Sequence, residues 1–313
     1  MIRRVAVIGR TRLAVECLEV LLHSGDEVVA VIADPDDSGI DGWQPSLSHA
    51  ASVRGLRVVQ PANVNEPAVV AELAAMRPDF LFSFQASSIL RGPLIGVASV
   101  AALNLHFGRL PRYRGVAPIA WALINGESES AVTLHHIERG VDSGPIVAAR
   151  IVPINAEQTG RALYDACVDA GIGLFAEVWP TIRLLDEVPG TPQDESESLY
   201  YNRHALDFRA RRVPWNLDCE AIANRMRAFI FPPFQHPELF ASGQCYEVRA
   251  FTWDRQPHAG RPGEILEATE DAVVVAAPGG RILLHELQSG DRRLVGIALS
   301  AHFAPGSVFD SPD

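Results

Sequence analysis

Three polar side chains in the stretch 101–154 stand where a strand ends or a loop begins. Asn104 and His106 are two residues apart at the end of an apolar run, so they project to the same side of a strand. Asp142 follows in a Gly-Val-Asp-Ser-Gly loop between two further predicted strands. In acyl transfer an amide donates to a developing oxyanion, an imidazole accepts a proton and a carboxylate orients the imidazole. The three residue types therefore indicate acyl-transfer chemistry.

These residues belong to a longer motif. In chain order it comprises Asn104-Leu105-His106, Leu110-Pro111-Arg112-Tyr113-Arg114-Gly115, Pro118 to Glu127 with Trp121 inside it, Val132-Thr133-Leu134-His135, and Asp142-Ser143-Gly144. In order and spacing the motif resembles that of the folate-dependent formyltransferase family, with an N-terminal domain like that of the methionyl-tRNA formyltransferases. One position departs from the pattern, because many members carry serine two places after the histidine and this chain has Gly108. The resemblance is firm over residues 1–190 and loose beyond them.

The resemblance implies a reaction and a cosubstrate. Members of the family transfer a formyl group from N10-formyltetrahydrofolate to an amine, and no metal is implied. Asn104, His106 and Asp142 match the family's catalytic residues. In the family, the loop after the Phe-Leu-Phe-Ser-Phe strand and the loop before the catalytic aspartate form the walls of the folate pocket. The implied cofactor contacts are Phe84, Gln85, Ile89, Leu90 and Val141. For Phe84 and Leu90, packing in the core is an equally good interpretation.

Two stretches near the middle of the chain resemble the formyltransferases that act on amino groups of nucleotide-linked sugars. They are the Tyr-Tyr-Asn-Arg stretch at 200–203 and the aromatic and proline-rich stretch at 227–234. In those enzymes such residues hold the base, the sugar or the diphosphate, and a guanidinium pairs well with phosphate. The implied substrate contacts are Arg114, Tyr200, Tyr201, Arg203, Arg227 and Phe231. The alternative is that the prolines and aromatics seal a domain junction and that the arginine-rich loop at 109–115, which contains Arg114, is simply surface.

A loop rich in turn-forming residues follows the second predicted strand, at 34–48. The loop contains four aspartates and neither lysine nor arginine; the aspartates are Asp34, Asp36, Asp37 and Asp41. In members of the family that formylate initiator methionyl-tRNA, the corresponding loop is basic and contacts the RNA. An acidic loop repels phosphates, and the net charge of −11 points the same way. Both features argue against a nucleic-acid partner, although a solvated surface loop would look the same.

The composition is that of a globular protein. The chain has 313 residues, of which 48% are hydrophobic and 21% charged, enough for one large and one small domain. No apolar run approaches the roughly 20 residues that cross a bilayer, and the short run at 5–8 predicts a first strand rather than a signal peptide. The four cysteines have no Cys-x-x-Cys spacing, which predicts neither disulfides nor a zinc site. A cytoplasmic location is therefore expected.

The first thirty or so residues predict a βαβ unit. Apolar runs at Val5 to Ile8 and Val28 to Ala33 flank a helical pattern from Thr11 to Leu22. The expected fold class is α/β, with a Rossmann-like, doubly wound and mostly parallel sheet. Gly9 stands alone without the G-x-G-x-x-G fingerprint of dinucleotide binding. An oxidoreductase on the same fold therefore lacks its main support.

The C-terminal part predicts a smaller β-rich domain. Short β segments alternate with turns from Gln244 onward, which favours a small barrel-like sheet. The expected organisation is a formyltransferase catalytic domain at 1–190, a turn-rich linker at 191–216 and a β-rich domain at 217–313.

The resulting hypothesis is an enzyme that formylates the primary amine of a nucleotide-linked amino sugar. Alternatives within the same chemistry are a hydroxyornithine-like amine, an amino acid or methionyl-tRNA, and an alternative outside it is a ligand-binding module without turnover. The expected partners are small molecules, folate and a nucleotide-linked sugar, with neither nucleic acid nor membrane, and similar proteins are commonly homodimers. Adjacent histidines His135 and His136 alternate in direction along a predicted strand, which argues against a shared metal.

Overall fold

The hydrophobic periodicity of the sequence is matched by alternating strands and helices. The computed structural model describes residues 1–38 and 42–311, so Asp41 of the acidic loop lies outside the described residues. Up to residue 203 the elements are β1 (Arg4–Gly9), α1 (Thr11–His23), β2 (Glu27–Ala33), α2 (Leu47–Ser52), β3 (Val58–Val59), α3 (Pro67–Ala75), β4 (Phe80–Phe84), α4 (Gly92–Ile95), β5 (Ala101–His106), β6 (Arg114–Gly115), α5 (Pro118–Ile124), β7 (Glu129–His136), β8 (Ile146–Pro153), α6 (Gly160–Ile182) and β9 (Tyr200–Tyr201). Beyond it they are α7 (Cys219–Phe229), β10 (Glu238–Ala241), β11 (Gln244–Asp254), β12 (Ile265–Ala268), β13 (Val273–Ala277), β14 (Gly280–Ser289), β15 (Arg292–Val295) and α8 (Ile297–Ser300).

Seven strands form the main sheet, in the order β3-β2-β1-β4-β5-β7-β8. The pairs from β3 to β5 are parallel, whereas β7 and β8 run antiparallel to their neighbours. Because the chain order reverses beside β1, the parallel strands extend to both sides of the first one, as in doubly wound sheets. The predicted Rossmann-like, mostly parallel sheet is confirmed.

The central strand β4 is buried at every position. Alternate side chains of a strand share one face, and here Phe80, Phe82 and Phe84 all pack against α6. The ring centroid of Phe80 lies 5.1 Å from that of Trp179, and those of Phe82 and Phe84 each lie 5.0 Å from that of Phe175, in edge-to-face contacts. Such contacts add to the burial of apolar area. The strand reads as a continuous apolar run because both of its faces are covered.

The C-terminal strands form an antiparallel sheet in the order β10-β11-β14-β13-β12, with β15 paired to β14. Helix α7 covers this sheet, since Ile222 and Met226 share a core with Val275 and Leu284. The predicted β-rich C-terminal domain is confirmed. No helix in the described part of the chain is long and apolar enough to span a bilayer.

The chain forms two compact units, each containing more than one segment. The first comprises Met1–Pro118, Glu129–Pro153 and Asp165–Arg203, and the second comprises Ile119–Ser128, Ile154–Tyr164 and His204–Asp313. The domain boundaries inferred from the sequence, at 190 and 216, stay a prediction.

A buried carboxylate joins the start of the chain to the end of α6. Asp26 is 7% exposed and accepts hydrogen bonds from the backbone N–H of Arg3 (3.0 Å) and from Nε1 of Trp179 (3.0 Å). It also forms an ion pair with Arg183, whose Nη2 lies 2.5 Å from Oδ1. The side chain thus ties the strand that begins the chain to the end of α6.

Replacing Asp26 by alanine leaves the buried Trp179 N–H and the Arg183 guanidinium without their acceptor. We expect Asp26→Ala to lower the free energy of unfolding by about 3–5 kcal/mol, the loss typical of a buried ion pair that is broken on one side. Asp186→Ala is the control, because this aspartate also pairs with an arginine but its side chain is 92% exposed. Its loss should be only about 0–1 kcal/mol. Urea unfolding followed by tryptophan fluorescence checks both values, and equal losses would contradict the role of Asp26.

Candidate active site

The register of three strands brings the predicted polar residues to one edge of the main sheet. In β5, Asn104 lies beside Ser83 of β4 in parallel register and opposite His135 of β7 in antiparallel register. His106 is the last residue of β5. The edge therefore lies at the carboxyl ends of the parallel strands, where open α/β sheets bind their ligands.

Asp142 completes the group from the loop between β7 and β8. Its Oδ2 lies 3.6 Å from Nδ1 of His106, and its Oδ1 lies 3.5 Å from Nδ2 of Asn104. The backbone N–H of Gly115 donates to Oδ2 at 2.9 Å. The structure thus brings together the amide, imidazole and carboxylate singled out from the sequence.

The imidazole of His106 is held from both sides. Its Nε2 lies 2.8 Å from the carbonyl oxygen of Tyr113, and its Nδ1 faces the carboxylate of Asp142. Both neighbours are acceptors, so a neutral ring, which carries one N–H, can satisfy only one of them. The side chain is 8% exposed, which leaves the ring little freedom to reorient.

The carboxylate of Asp142 stays ionised well below neutral pH. Burial raises its pKa, but the neighbouring imidazole of His106 and the N–H of Gly115 outweigh this and hold the pKa well below its usual range. A fixed negative charge beside His106 is therefore part of the site.

Glycine is required where the loop after β5 approaches Asp142. Gly115 has φ of +91°, and a Cβ there would lie 2.2 Å from the carbonyl oxygen of Tyr201. This close approach is the parallel pairing of β6 with β9. Gln193 also holds the loop, because its Nε2 donates to the carbonyl oxygens of Asp142 (2.8 Å) and Gly144 (2.7 Å). The start of the stretch predicted as a linker therefore helps to shape the site.

Of the predicted substrate residues, Arg114, Tyr200, Tyr201 and Arg203 lie in the first unit. The guanidinium of Arg114 is buried and makes five hydrogen bonds, to Gln193, Glu195 and Ser198. Its donors are thus directed at the 193–198 segment. Tyr201 stacks on Tyr113 with ring centroids 5.9 Å apart, whereas Tyr200 is 56% exposed and Arg203 is exposed.

The other two, Arg227 and Phe231, lie in the second unit. Arg227 donates to the carbonyl oxygen of Asn155 (2.9 Å) and to Oδ1 of Asn224 (3.1 Å), and burial lowers the pKa of its guanidinium. Phe231 packs edge-to-face on Tyr164 at 5.5 Å. Both side chains therefore have packing partners inside their own unit.

The residues predicted to contact the folate differ in how far their side chains are exposed. The Phe84 ring is fully buried against α6, which leaves only its backbone for a ligand, and Leu90 is also buried. Ile89 is 66% exposed, and Val141 is half-buried. Gln85 has φ of +56°, and its Oε1 accepts from the hydroxyl of Thr11 at 2.7 Å.

The chemistry of these residues fits a folate. The loop after β4 begins beside His106, because β4 and β5 are parallel and adjacent. The apolar side chain of Ile89 in this loop is exposed, and an exposed apolar side chain suits the flat ring of a pterin. Within the described residues, no group of three His, Cys, Asp or Glu side chains is arranged to hold a metal ion.

Comparison with protein families decides what kind of protein this is. The formyl transferase family model matches residues 3–178, and the model for the formyl transferase C-terminal domain matches residues 207–301. The chain belongs to the formyltransferase family. It is accordingly a folate-dependent one-carbon transferase, and the resemblance seen in the motif is confirmed.

The relatives of this formyltransferase include methionyl-tRNA formyltransferases and sugar N-formyltransferases. A methionyl-tRNA formyltransferase of Citrifermentans bemidjiense is 30% identical over 99% of this chain and 97% of its own, and one of Pseudomonas entomophila is 35% identical over 91% of each. Among solved structures, the N-formyltransferase of Helicobacter canadensis in complex with folinic acid and dTDP-3-aminofucose superposes with a TM-score of 0.75. It is 26% identical, and the match covers 91% of this chain and 99% of that one. The sugar 3N-formyl transferase WlaRD shares the fold, with a TM-score of 0.74 at 24% identity and coverage of 93% and 99%.

Two residues at this formyltransferase site had no role in the sequence interpretation. His135 stood in the motif without a function, and its position opposite Asn104 follows from an antiparallel register that no local pattern reveals. Gln193 lay in a stretch whose turn-forming and acidic residues resemble a linker. Its contact with the Asp142 loop joins positions 51 residues apart.

Gly108 takes the place of the serine found in many family members, and it leaves room for the His106 ring. A Cβ at this position would lie 2.6 Å from Nε2 of His106 and 2.9 Å from the carbonyl oxygen of Tyr113. We expect Gly108→Ser to displace the ring from Tyr113 and to lower kcat by about 10- to 100-fold, since small misplacements of catalytic groups cost this much. Steady-state kinetics of formyl transfer checks it.

The control is Gly96→Ala, because an added Cβ there meets its nearest neighbour at 3.4 Å, an ordinary contact. It should leave kcat unchanged. A Gly108→Ser enzyme with wild-type kcat would show that the ring position does not limit the reaction.

The lowered pKa of Asp142 also predicts how stability depends on pH. In the unfolded chain an aspartate has a pKa of about 3.9, above the folded value, so the stabilising contribution is complete above about pH 4 and is lost as the pH falls through the folded pKa. We expect the free energy of unfolding to fall more steeply below about pH 4 in the wild type than in Asp142→Asn. Urea unfolding at a series of pH values measures both slopes, and parallel curves would contradict the assignment.

Proposed function

We propose that the protein transfers a formyl group from N10-formyltetrahydrofolate to the primary amine of a nucleotide-linked amino sugar. The observation that carries the transfer is the convergence of Asn104, His106 and Asp142 at one edge of the sheet. The identity of the amine rests on separate features of the chain.

His106 accepts the proton that the amine loses. An amine must be neutral to attack a carbonyl carbon, and it carries an extra proton once the bond has formed. Asp142 lies 3.6 Å from Nδ1 of His106, so its negative charge stabilises the imidazolium that results. When bound, N10-formyltetrahydrofolate would supply the formyl carbon. As that carbon bonds to the amine nitrogen its bond to N10 breaks, and N10 would leave with the proton that His106 has accepted.

Asn104 stabilises the negative charge that develops on the formyl oxygen. One N–H of its amide points to His135 at 3.1 Å, and the other reaches Asp142 only at 3.5 Å. The second bond is at the limit of hydrogen-bond length, so this N–H is the one available to the formyl oxygen. A donor in such a position contributes about 2.7–4 kcal/mol to stabilisation of the transition state.

The folate would be held by residues of two segments: the end of β4 with the loop that follows it, and the residue just before Asp142. Ile89 and Val141 would contact the ring through their side chains, and Phe84, Gln85 and Leu90 would contribute through the backbone of the same loop. Arg114 acts as a positioning residue for the 193–198 segment rather than as a direct phosphate ligand, since its donors are already engaged.

Several features support a nucleotide-linked sugar as the amine. The Helicobacter canadensis enzyme is matched along almost its whole length. Tyr200 presents an exposed ring on β9, where it pairs in register with Arg114 of β6, and exposed rings suit the stacking of a nucleobase. Asp36, beyond the end of β2, is exposed and adds negative charge to the surface where a tRNA-formylating relative is basic.

Methionyl-tRNA is the second candidate, because the identities of 30% and 35% are to methionyl-tRNA formyltransferases. The charge of the C-terminal segment opposes it. Within residues 204–311, seven of eleven arginines form ion pairs with carboxylates, namely Arg209, Arg211, Arg249, Arg255, Arg261, Arg281 and Arg293. Paired cations contribute little net positive potential, which a phosphate backbone requires.

A cytoplasmic location and a homodimer stay predictions.

The substrate is tested with N10-formyltetrahydrofolate and a panel of amines, by following release of tetrahydrofolate. The panel contains dTDP-, UDP- and GDP-linked amino sugars, free amino acids and methionyl-tRNA. We expect turnover with a nucleotide-linked amino sugar, and a loss of at least about 1,000-fold in kcat for the double variant Asn104→Ala, His106→Ala. Turnover that survives in the folded double variant would refute the catalytic roles. Turnover with methionyl-tRNA alone would replace the proposed substrate.

A further inference from the structure

His135 is a buried histidine next to the proposed oxyanion donor, and the mechanism above gives it no task. It is 2% exposed and lies directly opposite Asn104 across the β5–β7 pair. Directly opposed side chains on one face of an antiparallel pair are close neighbours. A polar side chain in this position must either be satisfied by hydrogen bonds or destabilise the fold.

The hydrogen bonds of His135 determine which of its nitrogens carries the proton. Nδ1 lies 2.8 Å from the backbone carbonyl oxygen of His136, which can only accept. Nδ1 is therefore the protonated nitrogen of the neutral ring, and Nε2 presents a lone pair. Two groups face this lone pair: Nδ2 of Asn104 at 3.1 Å and, farther away, Oδ1 of Asp142 at 3.5 Å. The lone pair therefore accepts one of the N–H groups of the nearer Asn104 amide.

This arrangement allows only one orientation of the Asn104 amide. Its nitrogen faces two acceptors, the lone pair of His135 and Oδ1 of Asp142 at 3.5 Å. Rotating the amide by half a turn would place its oxygen against both acceptors and leave neither satisfied. The nitrogen is thus kept on the side of the site where the carboxylate and the His106 ring converge.

We propose that His135 is a positioning residue for Asn104, one that holds the amide with its N–H toward the reacting carbonyl. The inference rests on the proposed function, because it concerns the same oxyanion donor. Of the two acceptors His135 is the stronger determinant, since the contact with Asp142 is longer and that carboxylate also accepts from Gly115. His135 does not itself touch the reacting atoms.

Two variants of His135 separate the acceptor from the packing. His135→Leu fills the space without an acceptor, whereas His135→Gln keeps a carbonyl oxygen on a side chain of similar reach. For the amine identified by the substrate panel, we expect kcat to fall by about 10- to 100-fold in His135→Leu, with KM for amine and folate changed less than about twofold. His135→Gln should recover most of the loss.

The control is His136→Leu, which removes the neighbouring imidazole but keeps the backbone carbonyl that His135 contacts. Its ring is bonded instead to the carbonyl oxygen of Val188 at 3.0 Å, so stability should fall while kcat is retained. Circular dichroism and thermal unfolding establish that each variant is folded. Wild-type kcat in folded His135→Leu, or an equal loss in His135→Gln, would overturn the positioning role.

A measurement without substrate tests the geometry separately. In protein labelled with ¹⁵N histidine, we expect the signals that disappear in His135→Gln to be those of a neutral ring protonated at Nδ1 only. A ring protonated at Nε2 would overturn the inference whatever the protein formylates. If no amine in the panel is formylated, the proposed function fails, and the nitrogen signals still decide whether His135 accepts from Asn104.

Discussion

The site depends on one buried carboxylate, that of Asp142, which must be satisfied on several sides at once. The amide of Asn104 and the imidazole of His106, both on β5, face it, and so does the backbone N–H of Gly115 on β6. An ionised group in such surroundings is costly unless it is fully paired. This requirement explains why the loop after β5, the β7–β8 loop and the end of β5 have their observed positions. The fixed charge in turn faces His106, and together with His135 it faces the amide of Asn104.

Part of this arrangement was predictable from the sequence. A continuous apolar run predicts strand β4, and the spacing of Asn104 and His106 predicts that both side chains lie on one face at the end of β5. Both predictions use patterns of neighbouring residues, which are local properties of the sequence. The strands β6 and β9 have two residues each and carry no periodic signal. The function of His135 depends on a register between β5 and β7, and Gln193 acts from a distant segment. Such long-range pairings arise only from the folded chain.

Burial also changed how individual residues are interpreted. The Phe84 ring, which the resemblance placed at the folate, lies in the aromatic core, so the loop after β4 meets a ligand through Ile89 and the backbone. Arg114 has the chemistry of a phosphate ligand, yet its donors are engaged by its own chain. A side chain's type therefore describes what it can bind, and only its neighbours decide what it does bind. The same reasoning applies to the ion-paired arginines of the C-terminal segment.

The pairing of β6 with β9 has a consequence for how the enzyme matures. Tyr201 and Gln193 fasten the loops around Asp142, yet both lie beyond residue 178, where the match to the N-terminal family model ends. A nascent chain emerging from the ribosome would fold the sheet, with its amide and imidazole, before Tyr201 and Gln193 have been synthesised. Catalytic competence would then appear late in synthesis, as a separate step after the sheet has formed.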